Sequence, residues 1–431
     1  MTKIICIVDA YSTGKQLAAA FKQKGYTCIH IKSASTLPTR YQHRTGDFID
    51  SLNYNQNIDE LLTQLKHFGE IHACIPGYES GVKLADLISE RLILPTNGSS
   101  YSELRRNKYA MSEAVKAAGL TTTPHTKSSH YADIEAWADN QWQSKLAQPI
   151  VLKPLESANG DHVFFCHDRY QLEDAFTKIT ASTNQFGQAN LEVLAEGLNA
   201  GTEYIINTVS WEGQHYVVEM CRIVRKPNTT IYDTAEVMRP QDEEWSAIEI
   251  YTFKVLDALK IQHGAGTTEL KYTPENGPIL LETSGRLMGN YNLAFFETMA
   301  SVTQLSLLVE AYDEPQKFLK RIQSPRPPQN YHGMDVLLIS NHQGILSVDI
   351  ETQVKALNLK SYHSGMCLEK GQMLQITTHQ DSTPGEVFLL HQSPEVLRED
   401  YHKIRTWEEN FYKTAVLLEA SKGMENELFV S

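Results

Sequence analysis

Short apolar runs and amphipathic segments alternate through the first part of the chain, and this alternation restricts the fold more than any other feature of the sequence. The predicted elements are strands at 3–8, 26–31 and 71–76 and helices at 17–25, 58–68 and 80–90. Strands that alternate with helices indicate a doubly wound parallel sheet, and such sheets bind ligands beyond the carboxyl ends of their strands. The segments Asp9–Lys15 and Gly77–Gly81 follow two of the strands, so we expect both at that edge.

These two loops differ in the ligand chemistry that they offer. Thr13-Gly14-Lys15 lacks the G-x-x-x-x-G-K-[ST] spacing of a phosphate-binding loop, which excludes a P-loop at this position. Glu79 opens the helix that follows the third strand. Its carboxylate could bind a substrate ammonium group or Mg²⁺, and it could equally be a structural acid at the positive end of a helix dipole.

Length and composition limit the class of protein. A chain of 431 residues has room for about two to four lobes, and 41% hydrophobic with 21% charged residues is typical of a soluble globular protein. The formal net charge of −13 argues against a nucleic-acid partner. Six cysteines without a C-x-x-C pair indicate neither a disulfide framework nor a zinc site. Because no apolar run has the length of a membrane span, we expect no membrane association and a cytoplasmic protein.

The stretch Gly264–Gly289 predicts a β-hairpin. Runs with strand character at 267–272 and 278–282 flank Pro274-Glu275-Asn276-Gly277, whose residues are typical of a turn. Each run carries one glutamate, so the hairpin predicts a pair of carboxylates held on rigid strands.

The two hairpin acids are candidate metal ligands. Glu269 and Glu282 lie thirteen positions apart and can face the same side, because side chains alternate along a strand. Ser284 and Arg286 follow the second acid. Carboxylates with a neighbouring guanidinium group suit Mg²⁺ that bridges nucleotide phosphates, whereas an exposed hairpin with ordinary surface acids has the same pattern.

A second candidate for phosphate binding lies between two predicted strands. Ile150–Lys153 and 162–166 flank a loop of small residues, 154–161. Such a loop can offer backbone N–H groups to phosphates while Lys153 supplies charge, although loops of this kind are often plain connections. Lys108 lies on a predicted helix at 105–118, away from its apolar stripe, and a solvated lysine is the alternative interpretation there.

The next connector has features of a nucleoside site. Predicted strands at 191–196 and 204–210 flank Gly197–Glu203. The connector can present backbone groups to an adenine edge, and Glu203 can bind a ribose hydroxyl. This pattern becomes specific only together with the other motifs.

The end of the chain predicts a separate small lobe. A helical segment at 295–312 leads to the proline-rich joint Ser324–Pro328, which is typical of a linker. Beyond the joint, short strands at 334–340, 344–348, 373–378 and 387–390 precede a helix at 395–418. These elements predict an α+β closing lobe.

The order of these motifs resembles the ATP-grasp carboxylate–amine ligases over nearly the whole chain. A wound lobe precedes Lys108, Lys153-Pro154 with its loop, Glu196-x-Leu198, Gly201-x-Glu203, Glu269 and Glu282-x-Ser284-x-Arg286-x-x-Gly289. The closing lobe, with Pro384-Gly385-Glu386-Val387, is most similar to the branch of L-amino-acid ligases and dapdiamide synthetases. The resemblance implies an α/β ATP-grasp fold with four parts: a wound lobe at 1–100, a small lobe at 101–190, a large lobe at 191–325 and a closing α+β lobe at 326–431.

The resemblance also implies which residues bind ATP. The phosphates would contact Lys108 and Lys153, and the loop that closes over them would include Ser157, Asn159 and Gly160. Glu196 and Leu198 would hold the adenine, and Glu203 the ribose. Lys153 would also be catalytic.

The metal and substrate residues follow in the same way. Two Mg²⁺ ions, with Mn²⁺ as an alternative, would bind Glu269, Glu282 and Ser284. Ser284 departs from the asparagine that is usual at its position, but its hydroxyl is still a hard oxygen ligand. Arg286 would be the catalytic group that steadies the acyl phosphate and the oxyanion. The substrate residues would be Glu79, Met288, Gly289 and Asn290.

The reaction that the resemblance implies is ATP-dependent amide formation through an acyl phosphate. Small carboxylates and amines would be the partners, with an amino acid as at least one substrate, and family habit suggests a homodimer. Two alternatives are a carboxylase-type member that activates bicarbonate and a nucleotide-binding protein without activity. The chain has no biotin-attachment motif, which counts against the first, and the full set of lysines, acids and Arg286 counts against the second.

Overall fold

The computed structural model of the protein describes residues 3–34, 47–143, 148–158, 160–226, 229, 231–379 and 382–417. The chain divides into two compact units. Unit 1 comprises Met1–Arg222 and Met238–Pro328, and unit 2 comprises Ile223–Val237 and Gln329–Ser431. All residues predicted for the active site belong to unit 1, except that Asn159 lies outside the described residues.

The strands are β1 Ile4–Val8, β2 Thr27–Lys32, β3 Phe48–Asn53, β4 Ile71–Pro76, β5 His125–Ser128, β6 Ile150–Pro154, β7 Phe164–Cys166, β8 Val193–Gly197, β9 Thr202–Trp211, β10 Gln214–Arg225, β11 Tyr232–Val237, β12 Gly264–Thr273, β13 Gly277–Ser284, β14 His332–Leu337, β15 Gly344–Leu346, β16 Tyr362–Cys367, β17 Met373–Leu374, β18 Gly385–His391 and β19 Val416–Leu417. The helices are α1 Leu17–Gln23, α2 Ile58–Lys66, α3 Val82–Arg91, α4 Lys108–Ala117, α5 Tyr131–Gln143, α6 Arg169–Thr180, α7 Trp245–Ala258, α8 Leu293–Ala300, α9 Gln304–Asp313, α10 Pro315–Ile322, α11 Ile350–Ala356 and α12 Pro394–Ala415.

Unit 1 begins with the predicted parallel sheet, in the strand order β3-β2-β1-β4. Every residue of β1 is buried, as expected for an apolar strand that is covered on both faces. The chain passes from β1 through β2 to β3 on one side and then returns to β4 on the other. The loops after β1 and β4 therefore meet at a switch point, which is where such sheets bind ligands.

Glycine allows the two switch-point loops to approach each other. A Cβ atom on Gly14 would lie 1.9 Å from the carbonyl oxygen of Gly77, and a Cβ on Gly77 would lie 2.7 Å from the carbonyl oxygen of Asp9. Either side chain would force the backbones apart. Gly14, which superficially suggests a phosphate loop, is thus required by packing.

Two antiparallel sheets complete the strand structure of unit 1. The first has the order β5-β8-β6-β7, and the second has the order β13-β12-β9-β10. Helix α6 packs on the first sheet, and α7 packs on the second through buried residues such as Trp245 and Leu256. The predicted α/β fold class, with one parallel sheet and antiparallel sheets, is confirmed.

The helical segment predicted at 295–312 is divided in the structure. Helix α8 ends at Ala300, because the next residue, Ser301, has a left-handed φ of 58°. Thr303 then caps α9 by accepting a hydrogen bond from the Ser306 backbone N–H. Likewise, the helix predicted at 105–118 begins only at Lys108, because the Asn107 side chain accepts hydrogen bonds from the N–H groups of Tyr109 and Ala110. Capping side chains therefore set both boundaries.

Unit 2 has the predicted α+β character. Its larger sheet has the order β11-β14-β18-β16, and its smaller sheet has the order β17-β15-β19. Helix α12 packs on the larger sheet through Leu397 and Ile404. Strand β11 comes from the middle of the chain, a feature that the sequence prediction of a closing lobe at 326–431 lacks. The proposed four-part division itself stays a prediction.

Two further sequence expectations concern cysteines and membranes. All six cysteines are free thiols, and five of them are buried. No helix in the described part of the chain is long and apolar enough to cross a bilayer.

Candidate active site

The two hairpin acids lie directly opposite each other. In the antiparallel pair β12–β13, Glu269 is in register with Glu282. Opposed residues of an antiparallel pair project from the same face of the sheet, so the predicted arrangement of the two carboxylates is confirmed. Both side chains remain partly accessible. Their role as metal ligands stays a prediction.

Lys108 contacts both the small-residue loop that follows β6 and the hairpin β12–β13. It is the first residue of α4, directly after the Asn107 cap. Its Nζ donates hydrogen bonds to the Ser157 carbonyl oxygen at 2.8 Å and lies 2.8 Å from Oε2 of Glu282. Burial alone would lower the pKa of Lys108, but the neighbouring Glu282 carboxylate raises it above its usual value. The ammonium group therefore stays charged at the point where loop and hairpin acid meet.

The small-residue loop between β6 and β7 is held by its own polar groups. The Ser157 hydroxyl donates to Oδ2 of Asp161 at 2.6 Å, and the N–H of Gln185 donates to the same oxygen at 3.1 Å. Gly160 has a φ of 72°, in the left-handed region that favours glycine. These contacts fix Ser157 and Asp161, and the Ser157 carbonyl oxygen accepts a hydrogen bond from Lys108.

Lys153 pairs with the acid predicted to lie at the adenine. Its Nζ lies 2.6 Å from Oε2 of Glu196, and both residues are buried. Leu198 lines a cavity of about 320 Å³ together with Thr123, Gln141 and Asn276. Glu203 is also buried, 3.7 Å from the Nζ of Lys271. The predicted adenine and ribose residues therefore lie near one another on β8, β9 and their connector.

Glu79 lies between two arginines. Its carboxylate accepts hydrogen bonds from Nη1 of Arg106 at 2.5 Å and from Nε of Arg286 at 2.9 Å. The Ser284 hydroxyl also contacts this carboxylate. Burial opposes the ionisation of Glu79, but the two guanidinium groups and Ser284 lower its pKa to about 2. Its predicted contact with a substrate ammonium group stays a prediction, as does the role of Ser284 as a metal ligand.

Replacing Glu79 by glutamine is expected to lower the free energy of unfolding by about 3 kcal/mol at pH 7, because two buried guanidinium groups lose their shared carboxylate. The pKa of this carboxyl group is lower in the folded protein, at about 2, than in the unfolded chain. Its stabilising contribution is therefore complete above about pH 5 and is lost as the pH falls toward 2. Urea unfolding at pH 7, 5 and 4 should show a difference between the variants that is constant down to pH 5 and smaller at pH 4.

Glu103→Gln is the matched control. Glu103 forms an exposed ion pair with Lys83 at 2.7 Å, and removing it should cost less than about 1 kcal/mol. Equal losses for the two variants would contradict the stabilising role of Glu79. The predicted substrate contact has a separate test, since an unchanged Michaelis constant for the carboxylate donor in Glu79→Gln would exclude it.

Polar groups of β12, α9 and the first switch-point loop bind the segment after Arg286. The Thr267 hydroxyl donates to the Arg286 carbonyl oxygen at 3.2 Å, and the Met288 N–H donates to Oε1 of Gln304 at 2.9 Å. The Asn290 N–H donates to the Ser12 hydroxyl at 3.2 Å. A Cβ on Gly289 would lie 3.5 Å from the same hydroxyl. The predicted amine-pocket residues thus form an ordered segment next to the first switch-point loop.

The sequence analysis missed two residues of this site. Arg106 is buried, contacts Glu79, lies 3.4 Å from Glu156 and stacks over the Phe186 ring at 4.8 Å. No local motif marks it, because its partners lie far along the chain. Glu219 is buried next to the 286–291 segment, and here a signal existed: it is the single charged residue in the otherwise apolar run 216–221.

Comparison with known proteins identifies the family, although no protein-family model matches the chain. The L-amino acid ligase of Bacillus licheniformis has a similar structure, with a TM-score of 0.72, 16% identity and coverage of 94% of this chain and 97% of that one. Carboxyaminoimidazole ribonucleotide synthase of Aspergillus clavatus, complexed with ATP, has a TM-score of 0.66, 12% identity and coverage of 95% and 99%. Dapdiamide A synthase of Enterobacter agglomerans is 30% identical over 431 residues, which covers 96% of this chain and 98% of that protein. This chain belongs to the ATP-grasp carboxylate–amine ligases.

The family assignment fixes the general reaction of this ATP-grasp ligase. It is an enzyme that uses ATP to join a carboxylate to an amine, as the sequence analysis predicted. The similarity to the carboxylase-type structure, at 12% identity, concerns the fold alone. The substrates and the individual roles of the site residues are the subject of the proposal that follows.

Proposed function

We propose that this ATP-grasp ligase forms an amide between two amino acids or amino-acid derivatives, through an acyl phosphate, with release of ADP and phosphate. The observation that carries the proposal is the position of Lys108, whose ammonium group contacts the Ser157 carbonyl of the loop and the Glu282 carboxylate at once. A lysine, a loop carbonyl and a hairpin carboxylate in one cluster support phosphoryl transfer at this position. The choice of amino acids is supported by whole-length similarity to a dapdiamide A synthase and by the likeness to an L-amino acid ligase.

The hairpin acids fit a magnesium site that the nucleotide completes. Glu269 and Glu282 offer hard carboxylate oxygens from one face of the sheet. The described residues contain no group of three or more histidine, cysteine or acidic side chains that could hold a metal alone. The other ligands would therefore be phosphate oxygens, water and the Ser284 hydroxyl. Bound there, Mg²⁺ or Mn²⁺ would neutralise negative charge on the phosphates.

The two lysines can exchange partners when ATP binds. Lys108 pairs with Glu282 and Lys153 pairs with Glu196. Phosphate oxygens would replace these carboxylates as partners of the ammonium groups. Glu282 would then be available to a metal, and Glu196 to the adenine amino group. Each lysine keeps a negative partner throughout, which avoids an unpaired buried charge.

The ends of the nucleotide would be held by the loop and the connector. The loop of Ser157 and Gly160 would cover the phosphates and exclude water, which would otherwise hydrolyse the acyl phosphate. Leu198 would contact the adenine in its cavity of about 320 Å³, and Glu203 would accept a hydrogen bond from a ribose hydroxyl.

Arg286 would act on the reacting carboxylate. A carboxylate is a poor acyl donor until transfer of the γ-phosphoryl group of ATP gives it a good leaving group. Amine attack then forms the amide and releases phosphate. The Arg286 guanidinium group, fixed by Glu79 at 2.9 Å, would stabilise the charge on the acyl phosphate and on the oxyanion. Positioning and charge neutralisation are sufficient for this chemistry, so no protein nucleophile is required.

The cellular setting belongs to the same proposal. Six free thiols, five of them buried, are in keeping with a reducing compartment such as the cytoplasm. Small-molecule carboxylates and amines would be the partners, and a homodimer stays a prediction from family habit.

Phosphate release across a matrix of single amino acids and amino-acid pairs tests the proposal. We expect release that requires ATP, Mg²⁺ and a specific pair, with a product whose mass equals the sum of both substrates minus water. The mass measurement separates ligation from idle ATP hydrolysis.

The same matrix distinguishes the rival functions. Phosphate release that depends on bicarbonate and not on an amino acid would favour the carboxylase-type alternative. ATP binding by calorimetry without phosphate release under any mixture would favour a nucleotide-binding protein without activity. A non-amino-acid carboxylate added to each single amino acid extends the test to a modified-metabolite product.

A further inference from the structure

The segment that carries Arg286 and Met288 rests on a buried carboxyl group. Glu219, on β10, is 3% exposed. Its Oε1 accepts a hydrogen bond from the Tyr291 hydroxyl and another from the Gln304 N–H at 3.2 Å. Tyr291 ends the segment, and Gln304 begins α9. One carboxyl oxygen therefore joins the segment to the helix beneath it.

Gln304 extends this connection to the middle of the segment. Its side-chain Oε1 accepts from the Met288 N–H at 2.9 Å. Its Nε2 donates to the carbonyl oxygens of Thr208 at 3.2 Å and Gly266 at 2.9 Å, which ties α9 to β9 and β12. With 1% of its surface exposed, Gln304 has every polar side-chain atom bonded within the core.

Two more contacts hold the segment, one from strand β9 and one from helix α8. Asn207, on β9, donates from Nδ2 to the sulfur of Met288 at 3.2 Å and lies next to the Glu219 carboxyl group. The Tyr291 ring stacks on Phe296, with centroids 4.6 Å apart and an interplanar angle of 5°. The segment is thus bound at its start, middle and end by buried groups.

We propose that Glu219 is a positioning residue of this ligase, which through Tyr291 and Gln304 fixes the backbone of residues 286–291 and thereby the placement of Arg286 and of the amine substrate. The inference rests on the proposed function for the identity of the amine. It extends that function to a residue that lies beneath the predicted pocket and that none of the proposed contacts includes.

A buried glutamate without a basic partner lowers the stability of the fold, so a purely structural role does not explain its presence. Within the described residues, no lysine or arginine pairs with Glu219, and its Oε2 has no hydrogen-bond partner. Its titratable neighbours are Tyr291 and, next to that ring, Cys221. Burial raises the pKa of Glu219 to about 8 and raises that of Tyr291 well above its usual value. The carboxyl group is accordingly neutral at pH 7, and its ionisation at higher pH would place an unpaired charge under the segment.

The test compares Glu219→Leu, Glu219→Gln and Tyr291→Phe with the native enzyme. Since a displacement of about 1 Å can cost about 100-fold in rate, Glu219→Leu should lose about 100-fold in kcat/KM for the amine. The Michaelis constant for ATP should stay within about threefold. Glutamine reproduces the neutral acceptor, so Glu219→Gln should recover most of the loss at pH 7, and Tyr291→Phe should fall between the two.

A pH series adds a readout that a merely structural role would not change. The ratio of native to Glu219→Gln rates cancels the titration of the amine substrate. We expect this ratio to fall above pH 8, where only the native enzyme acquires a buried charge. A ratio that is flat from pH 6.5 to pH 9.5 would contradict the placement of that charge at Glu219.

Hydrogen exchange measures the positioning itself and needs no substrate. Amide exchange in a peptide that spans residues 286–291 should be faster in Glu219→Leu than in the native protein and close to native in Glu219→Gln. Glu310→Gln, which removes another buried acid bonded to Arg321 at 2.9 Å, should leave this peptide unchanged. Native exchange and native amine kinetics in Glu219→Leu would overturn the inference. If the native enzyme ligates no amino-acid pair, the proposed function fails while the exchange result still decides the positioning.

Discussion

Glu282→Gln is expected to slow amide formation by about 1,000-fold at millimolar Mg²⁺, because the variant lacks one of two carboxylates that neutralise charge at the phosphates. Glutamine keeps the size of the side chain, so the hairpin register with Glu269 should persist. Lys108 would lose its ion pair at 2.8 Å but keep the Ser157 carbonyl oxygen as a hydrogen-bond acceptor. The main loss is therefore expected in turnover and in metal dependence. Because Lys108 loses its carboxylate partner, the temperature of unfolding should also fall modestly.

The measurement is the rate of phosphate release as a function of Mg²⁺ concentration. The half-saturating concentration should rise for Glu282→Gln, and electron paramagnetic resonance with Mn²⁺ and ATP should show weaker metal binding. Glu275→Gln, on the exposed turn of the same hairpin, is the matched control and should behave like the native enzyme. Native metal dependence in Glu282→Gln would remove this residue from the metal site. Melting of the variant at a much lower temperature would instead assign Glu282 a structural role.

The parts of the fold that sequence patterns predicted are those with strong local signals. Strand β1 is apolar throughout and fully buried, and Glu269 and Glu282 lie on strands separated by an unmistakable turn. In these places the local pattern and the tertiary environment agree. The opposed acids were predictable because alternation along two short strands leaves few arrangements open.

The elements that the sequence analysis missed have weak local patterns or depend on contacts that a local pattern does not show. Strand β3 is an edge strand whose residues are mostly exposed, so its sequence has no buried face to reveal it. Strand β11 pairs with β14 although about a hundred residues separate them, and no local pattern encodes such a partner. The break before α9 depends on the cap at Thr303 inside a run that looks helical.

The site residues show the same contrast between local motifs and contacts that only the fold creates. The resemblance to the ATP-grasp ligases assigned Lys108, Glu282 and Ser157 to one site, and in the structure Lys108 contacts both Ser157 and Glu282. The ion pairs of Glu79 with Arg106 and Arg286 connect three separate segments of the chain. Their partners follow only from the fold, so the sequence named two of the three residues but not the link between them.

The second large effect on amide formation is expected for substitution of Arg286. Arg286→Lys is expected to lower kcat for amide formation by about 100-fold to 1,000-fold, the range for loss of one preorganised donor at a developing oxyanion. The guanidinium group donates from Nε to Glu79 at 2.9 Å and from Nη1 to the Leu287 carbonyl oxygen at 2.8 Å. Among the hydrogen bonds of the described residues, Nη2 takes part in none, which leaves it for an anionic ligand. A lysine ammonium group lacks this planar fork and cannot keep Glu79 and a ligand in the same geometry.

Arg321→Lys is the matched control, because Arg321, like Arg286, donates from Nε to a glutamate carboxylate, here Glu310 at 2.9 Å, and its Nη2 donates to the same carboxylate at 3.0 Å. It should retain native turnover. The Michaelis constant for ATP should change less than about threefold in Arg286→Lys, since an interaction made mainly in the transition state lowers kcat and kcat/KM together. A rise in that constant with native kcat would instead place Arg286 in ground-state nucleotide binding.

Comparison of ADP and amide in a single turnover then shows which step needs Arg286. If the guanidinium group acts chiefly on the oxyanion of amine attack, Arg286→Lys should still form ADP at a rate near the native one while amide appears slowly, and the acyl phosphate should be lost to water. If it acts chiefly on phosphoryl transfer, ADP and amide should slow in parallel. Because Glu79 fixes the guanidinium group from the switch-point loop, Glu79→Gln should reproduce whichever pattern Arg286→Lys gives, with a smaller amplitude. Opposite patterns in the two variants would separate Glu79 from the action of Arg286.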